Sequence, residues 1–256
     1  MHAPPLGVLH VALLVGAAFL AGAVNAIAGG GSLITFPALL AVGYSAVTAN
    51  VTNTVALVPG YVGGTLAYRP ELEGQRERVL VLGAVSVVGA VLGSYLLVVS
   101  PAALFRQIVP WLILFACALL AAQRWVARLL RSSLDTGKAE HHSLPLLGAQ
   151  FLGAIYGAYF GAGVSVLMLA VLGIFLTDDL QRLNALKGLL SLVINLVAAL
   201  YFALFGPVVW LPALLMAGAS LAGGQVGVLI ARRLSATVLR GLVVAFGVIV
   251  AVRLRI

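Results

Sequence analysis

Acidic side chains are scarce in this sequence, and their placement says more than their number. Seven Asp and Glu stand against fifteen Lys and Arg in 256 residues, and all seven fall in three polar stretches: Glu71 to Glu77, Asp135 to Glu140, and Asp178-Asp179. None interrupts a long apolar run. That argues against a proton relay built on buried carboxylates and leaves coupling to an ion by other means open. Cysteine occurs once, at Cys117; no internal disulfide can form, and the thiol, among Phe115, Ala116, Ala118 and Leu119, reads as packing. Metal-ligand spacing is missing as well. There is no HExxH and no spaced Cys/His set, and His141-His142 are adjacent in a charged stretch with only Glu140 beside them. GAGVS, Gly161 to Ser165, lacks the spacing of a nucleophile elbow, and Gly29-Gly30-Gly31 is not followed by the Lys of a phosphate loop. With no assembled acid, base or metal ligands, an enzyme is not expected, and no cofactor or metal is implied. The first ten residues carry no Lys or Arg of a secretory signal, so the first apolar run is expected to stay as a helix.

What the sequence has instead is apolar surface. It is 62% hydrophobic and 9% charged, with a mean hydropathy of +1.15. No soluble domain buries that much, so the fold class is an all-α polytopic membrane protein. At roughly 20 residues per crossing the length allows about eight to ten membrane segments. The net charge of +8 sits at segment ends, where it sets orientation; it does not imply nucleic acid. The lipid bilayer is the expected surroundings, as a multi-pass protein of the cell's inner (plasma) membrane. Oligomeric state is not fixed by the sequence.

The expected segments are Leu6–Ala28, a short helix Ser32–Val42, Asn50–Tyr68, Val79–Val99 and Ala102–Ala122. After the polar stretch Arg124 to His142 come Leu144–Phe160, a second short helix Val164–Leu176, Arg182–Phe205, Val208–Ala231 and Ala236–Val252. Thr177-Asp178-Asp179 reads as a solvated, cap-bearing turn. The second half repeats the first. Gly29-x-Gly31 is matched by Gly161-x-Gly163, 132 positions on; Asn50-x-x-Asn53 by Asn184-x-x-Lys187, 134 positions on; and Gly89, Gly93 and Arg106 by Gly223, Gly227 and Arg240. Residues 1–130 are therefore read as a first repeat, 131–143 as a polar cytoplasmic linker and 144–256 as a second repeat. Keeping the basic loops inside makes the repeats inverted, about five segments each, with both termini outside. If the short helices re-enter instead of crossing, the count drops toward eight.

The two glycine breaks are the candidate site. Consecutive glycines disfavour a continuous helix, and an interrupted helix is tolerated in lipid only where protein or water surrounds the freed backbone. A helix that begins inside the membrane points N–H groups and partial positive charge at whatever precedes it. Gly29, Gly30, Gly31 and Ser32 precede one such start, and Gly161 and Gly163 the other, making a cradle for an anion between repeats. The plainer reading is that the glycines only let helices cross closely. Asn50, Asn53 and Thr54 share one helix face after Thr48; Asn184 and Lys187 share another. These are substrate donors or bundle glue. Lys187 is either a buried cation facing the anion or a snorkelling anchor. Asn195, two turns beyond it, and Asn25, before the first break, are lining or glue.

NAIAGGGSLITFPALLAVGYSAVTANVTNTVAL, from Asn25, resembles the first-repeat signature of the sulfite exporter TauE/SafE family of membrane transporters. GAYFGAGVSVLMLAVLGIFLTDDLQRLNALKGLLSLVIN resembles the second, including Asn184-Ala-x-Lys187, although its break reads GAG and is poorer in glycine. The resemblance covers nearly the whole chain. It implies a secondary transporter that moves a small anion, sulfite or a sulfur-containing organic anion, by alternating access, with H+ or Na+ as candidate coupling ion. An anion channel or a non-transporting membrane subunit is the alternative.

Overall fold

The computed structural model describes residues 6–27, 30–132, 143–231 and 236–254. These residues form α-helices and one 3-10 turn, with no strand among them. The helices are α1 (Val8–Ile27), α2 (Ser32–Ala41), α3 (Ala46–Ala67), α4 (Arg76–Val99), α5 (Ala102–Ser132), α6 (Leu144–Tyr159), α7 (Val164–Phe175), α8 (Leu180–Phe205), α9 (Trp210–Ala231) and α10 (Ala236–Arg253). The 3-10 turn Pro70–Leu72 precedes α4.

Most boundaries fall within two or three residues of those expected. Two differences have a local cause. Helix α3 begins at Ala46, ahead of the expected Asn50, because Ser45 caps it: the Thr48 amide donates to Ser45 Oγ at 3.2 Å. Helix α5 runs on to Ser132, through a stretch in which Arg124, Ala127, Arg128, Leu129 and Leu130 favour helix. Most of the expected linker, 133–142, lies outside the described residues, as does the turn containing Arg232 and Arg233.

Among the described residues, four helices are long and apolar enough to cross a membrane by length and composition: Val8–Asn25 in α1, Arg76–Val99, Ala102–Ala122 and Leu180–Phe205. Outward faces of α6, α7 and α8 also fit lipid. Leu144, Leu204 and Ile174 are 83%, 75% and 72% exposed, which water would penalise and hydrocarbon does not. Helices α2 and α7, 10 and 12 residues long, extend only about 15 to 18 Å, half the thickness of a bilayer core.

The packing is duplicated. Helix α1 lies along α9 as α6 lies along α4; α3 meets α9 as α8 meets α4; α2 meets α10 as α7 meets α5. The pairs α3–α8 and α5–α10 map onto themselves under the same exchange of the first five helices for the last five. Individual contacts repeat too. A Cβ on Gly223 would run into the Phe19 carbonyl, and one on Gly89 into the Phe151 carbonyl; Phe151 is 132 positions after Phe19 and Gly223 is 134 after Gly89. Ser86 and Ser220, also 134 apart, are both fully buried. Ser86 accepts from Gln150 Nε2 at 2.8 Å, and Ser220 donates to the Ala56 carbonyl at 3.0 Å. The core runs between the halves: Phe36 of α2 meets Phe160 edge-on at 5.5 Å, and Phe105 of α5 meets Tyr159 at 5.6 Å.

Outside the membrane segments, the turn after α3 is tied to the turn before α8. Asp178 takes both Arg78 and Arg182, Gln75 Nε2 donates to the Arg182 carbonyl at 3.1 Å, and Arg182 donates to the Glu73 carbonyl at 3.2 Å. Asp179 alone serves as the cap, accepting from the Gln181 amide at 2.8 Å. The expected solvated cap is thus one capping carboxylate and one bridging carboxylate.

Candidate functional site

Both helix interruptions are buried against one face of α5. Gly30 lies beside the Leu120 side chain and Gly163 beside Ala116, residues one helical turn apart, or about 6 Å along the axis. Gly30, Gly161 and Gly163 have φ of +93°, +78° and +75°, the left-handed region that glycine enters without cost. Gly29 lies outside the described residues.

At the first break a side chain closes the turn. The Gly31 amide donates to Asn25 Oδ1 at 2.7 Å, so Asn25 works as a clasp across the turn. The Thr35 hydroxyl bonds to Asn53 Oδ1 and lies 3.3 Å from the Gly31 carbonyl. Ser32 is buried beside it.

At the second break the backbone turns back on itself. The Phe160 and Gly161 amides return to the Tyr156 carbonyl at 2.9 and 3.3 Å, and the Val164 amide donates to the Gly161 carbonyl at 3.2 Å. The Tyr156 hydroxyl holds the Ala162 carbonyl at 2.6 Å. Among the described residues the amides of Ala162, Gly163 and Ser165 have no acceptor, although all but Ser165 are buried residues. Buried backbone donors are seldom left so. Among the described residues of the first break, the Gly30 and Ser32 amides are likewise without an acceptor.

Side chains from both halves meet the second break. Asn50 Nδ2 donates to the Tyr159 carbonyl at 2.9 Å, while its Oδ1 is buried without a partner. Asn195 anchors its Nδ2 on the Ser191 carbonyl at 2.8 Å and turns its Oδ1 toward Gly161.

Other expected residues lie apart. Thr48 is engaged with Ser45 at the N-terminal end of α3, and Thr54 bonds back to the Asn50 carbonyl at 3.0 Å. Lys187 donates to Asn184 Oδ1 at 3.0 Å, with no carboxylate near it among the described residues. Thr65 of α3 stands beside Gly188, and Asn53 precedes Thr65 by twelve residues, about 18 Å along the helix. The Asn50–Asn53 pair and the Asn184–Lys187 pair therefore sit toward opposite ends of the α3–α8 contact, with Tyr61 and Asn195 between them. Thr35 and Tyr156 give no signal beyond being polar in apolar runs.

An all-helical chain with lipid-facing helices, duplicated packing and two interrupted helices buried side by side belongs among the polytopic membrane transporters. Comparison with known proteins narrows this. The family model for "Sulfite exporter TauE/SafE" matches residues 14–254, and the chain belongs to that family. It is 28% identical to "Probable membrane transporter protein ORF9" of Sinorhizobium sp, over 95% of this chain and 92% of that one. It is 29% identical to a "Probable membrane transporter protein" of Haemophilus influenzae, over 93% and 92%. It is 28% identical to "Probable membrane transporter protein YfcA" of Escherichia coli, over 86% and 80%. No solved structure matches the chain.

Proposed function

We propose that this transporter moves a small anion, sulfite or a sulfur-containing organic anion, between two inverted repeats, 1–130 and 144–256, joined by the cytoplasmic linker 131–143. The observation that carries the reading is the pair of breaks on one face of α5, with unpaired amides at Ala162, Gly163 and Ser165. Free N–H groups at an interrupted helix favour negative charge. In this reading Gly29, Gly30, Gly31, Ser32, Gly161, Gly163 and Asn195 form the central cradle, with Asn25 holding the first turn. Asn50, Asn53, Thr48 and Thr54 line one approach. Asn184 and Lys187 line the other, where Lys187 attracts the anion about two turns of α8 from Asn195. The inner (plasma) membrane is the proposed location, with H+ or Na+ as coupling ion.

Reconstituted protein is expected to give saturable, exchange-capable flux of labelled sulfite. Absence of flux together with absence of a thermal shift from any sulfur oxyanion removes the substrate assignment; flux that does not saturate favours a channel. Lys187→Met is expected to raise the KM for the anion by about tenfold, the scale of one charge contact in a partly desolvated site. An unchanged KM makes Lys187 a topological anchor.

A further inference from the structure

We propose that the end of α6 at the second break binds a Na+ ion, held by the Gly157 carbonyl and Asn195 Oδ1, and that this ion is the one coupled to the anion; the coupling rests on the anion-transport reading above. Gly161 leaves a space where a side chain would stand. A Cβ placed there lies 3.0 Å from the Gly157 carbonyl oxygen and 3.9 Å from Asn195 Oδ1, and among the described residues no other atom beyond its chain neighbours comes within 4 Å. Neither oxygen meets a donor among those residues. The Gly161 amide, which would close the next turn on Gly157, reaches past it to the Tyr156 carbonyl at 3.3 Å. Asn195 spends only its Nδ2, on the Ser191 carbonyl. Asn195 is 4% exposed and Asn50 1%. Asn50 Nδ2 holds the Tyr159 carbonyl, the last of α6, and so brings its own unpartnered Oδ1 to the same helix end.

Orphaned acceptors around one open point call for a positive guest. Buried acceptors seldom go unmet, and the C-terminal end of a helix adds partial negative charge. The donor set selects the ion. Carbonyl and carboxamide oxygens are hard ligands that take no proton near neutral pH. No Asp or Glu lies in an apolar run, so the site has neither a proton carrier nor the carboxylates that a divalent ion prefers. Broken helices in membranes divide the labour in this way: N-terminal amides face the anion, while unwound carbonyls and C-terminal ends face the cation. Here both ends belong to one break, and the free amides of Ala162 and Gly163 follow Gly161 directly. Asn195 Oδ1 would repel an anion by itself; with Na+ upon it, it joins the cradle through the ion's charge. Cation and anion then favour each other's binding, which is the coupling.

A water molecule bridging the two oxygens is the plainer occupant. Two measurements tell them apart: melting of the detergent-solubilised protein in sodium or choline chloride of equal strength, and labelled sulfite uptake into proteoliposomes under a gradient of either cation. Na+ is expected to raise the melting temperature saturably, by about 5–10 °C at a hundredfold excess over its Kd. Sulfite uptake is expected to fall about tenfold when choline replaces Na+. Asn195→Leu, of similar size but without the oxygen, is expected to raise the half-saturating Na+ concentration about tenfold in both measurements, with its melting in choline unchanged. Melting that is the same in Na+ as in choline overturns the site whatever the flux, and so does a Na+ response that Asn195→Leu leaves unaltered. Sulfite flux indifferent to Na+ overturns the coupling and leaves the transport reading standing. Na+-dependent melting without sulfite flux keeps the site and overturns the transport reading. If Asn195→Leu does not fold, Asn195→Asp, ionised at about pH 8, is expected to lower the half-saturating Na+ concentration; an unchanged value overturns the assignment.

Discussion

Gly223→Ala is expected to lower the melting temperature of the detergent-solubilised protein by about 10 °C, and Gly89→Ala by a similar amount. The added methyl at Gly223 would enter the space of the Phe19 carbonyl of α1, and at Gly89 it would stand 2.8 Å from the Phe151 carbonyl of α6. These are backbone atoms of a neighbouring helix, so no rotamer change relieves the clash and the helices must separate. Overpacking typically costs about 1–3 kcal/mol, and a rigid obstacle puts these sites at the upper end; each kcal/mol shifts melting by roughly 2–4 °C at this chain length. The α1–α9 and α4–α6 contacts carry much of the tertiary structure, and small residues are what allow such close approach in a membrane, where apolar burial supplies little drive. Gly218 in α9 has open space where its methyl would go. Gly218→Ala should therefore be neutral or slightly stabilising, since alanine favours helix by up to about 1 kcal/mol. Equal melting of Gly223→Ala and wild type would mean that the α1–α9 contact is looser than described.

Asp178→Asn is expected to cost about 2 kcal/mol at neutral pH, seen as a melting temperature lower by about 4–8 °C. The carboxylate bridges Arg78, at the head of α4, and Arg182, at the head of α8, with side-chain exposures of 13%, 16% and 35% for Arg78, Asp178 and Arg182. The figure is discounted for that partial exposure. Burial by itself would raise the Asp178 carboxyl, but the hydrogen bonds from Arg78, the Asp179 amide and Arg182 outweigh it and hold the group below its ordinary value. The sign for stability follows. The folded state favours the ionised form, so the contribution is present above the unfolded carboxyl's value and is lost as pH falls through the lower folded value. Wild-type melting should therefore hold from neutral pH to about pH 4 and fall below it, whereas Asp178→Asn should start lower and show less of that acid decline. Parallel acid profiles for the two proteins would show that the bridge contributes nothing.

The apolar runs made the helices legible because membrane segments are specified locally: length, hydropathy and breaking residues decide them before any contact forms. The repeat was legible because its marks, Gly29-x-Gly31 with Gly161-x-Gly163 and Gly89 with Gly223, are spaced along the chain. Ser45 as the cap of α3 was missed because a serine in a turn offers the same signal whether or not its side chain turns back to Thr48. The site was only half legible. A polar residue in an apolar helix announces that it needs a partner but not which one. Asn25 spends its carboxamide on Gly31, Asn53 on Thr35 and Asn184 on Lys187, and those choices depend on distances between helices.

By itself, then, the sequence determined that this is a helical membrane protein of two similar halves, each broken by glycine near its start, because hydropathy and backbone freedom are properties of the residues in order. Only the tertiary structure decided that both breaks rest on α5, that Tyr61 and Asn195 come between the two polar pairs, and that the second break keeps unpaired amides. Those facts depend on how closely neighbouring helices approach, and that is fixed by packing between residues more than a hundred positions apart.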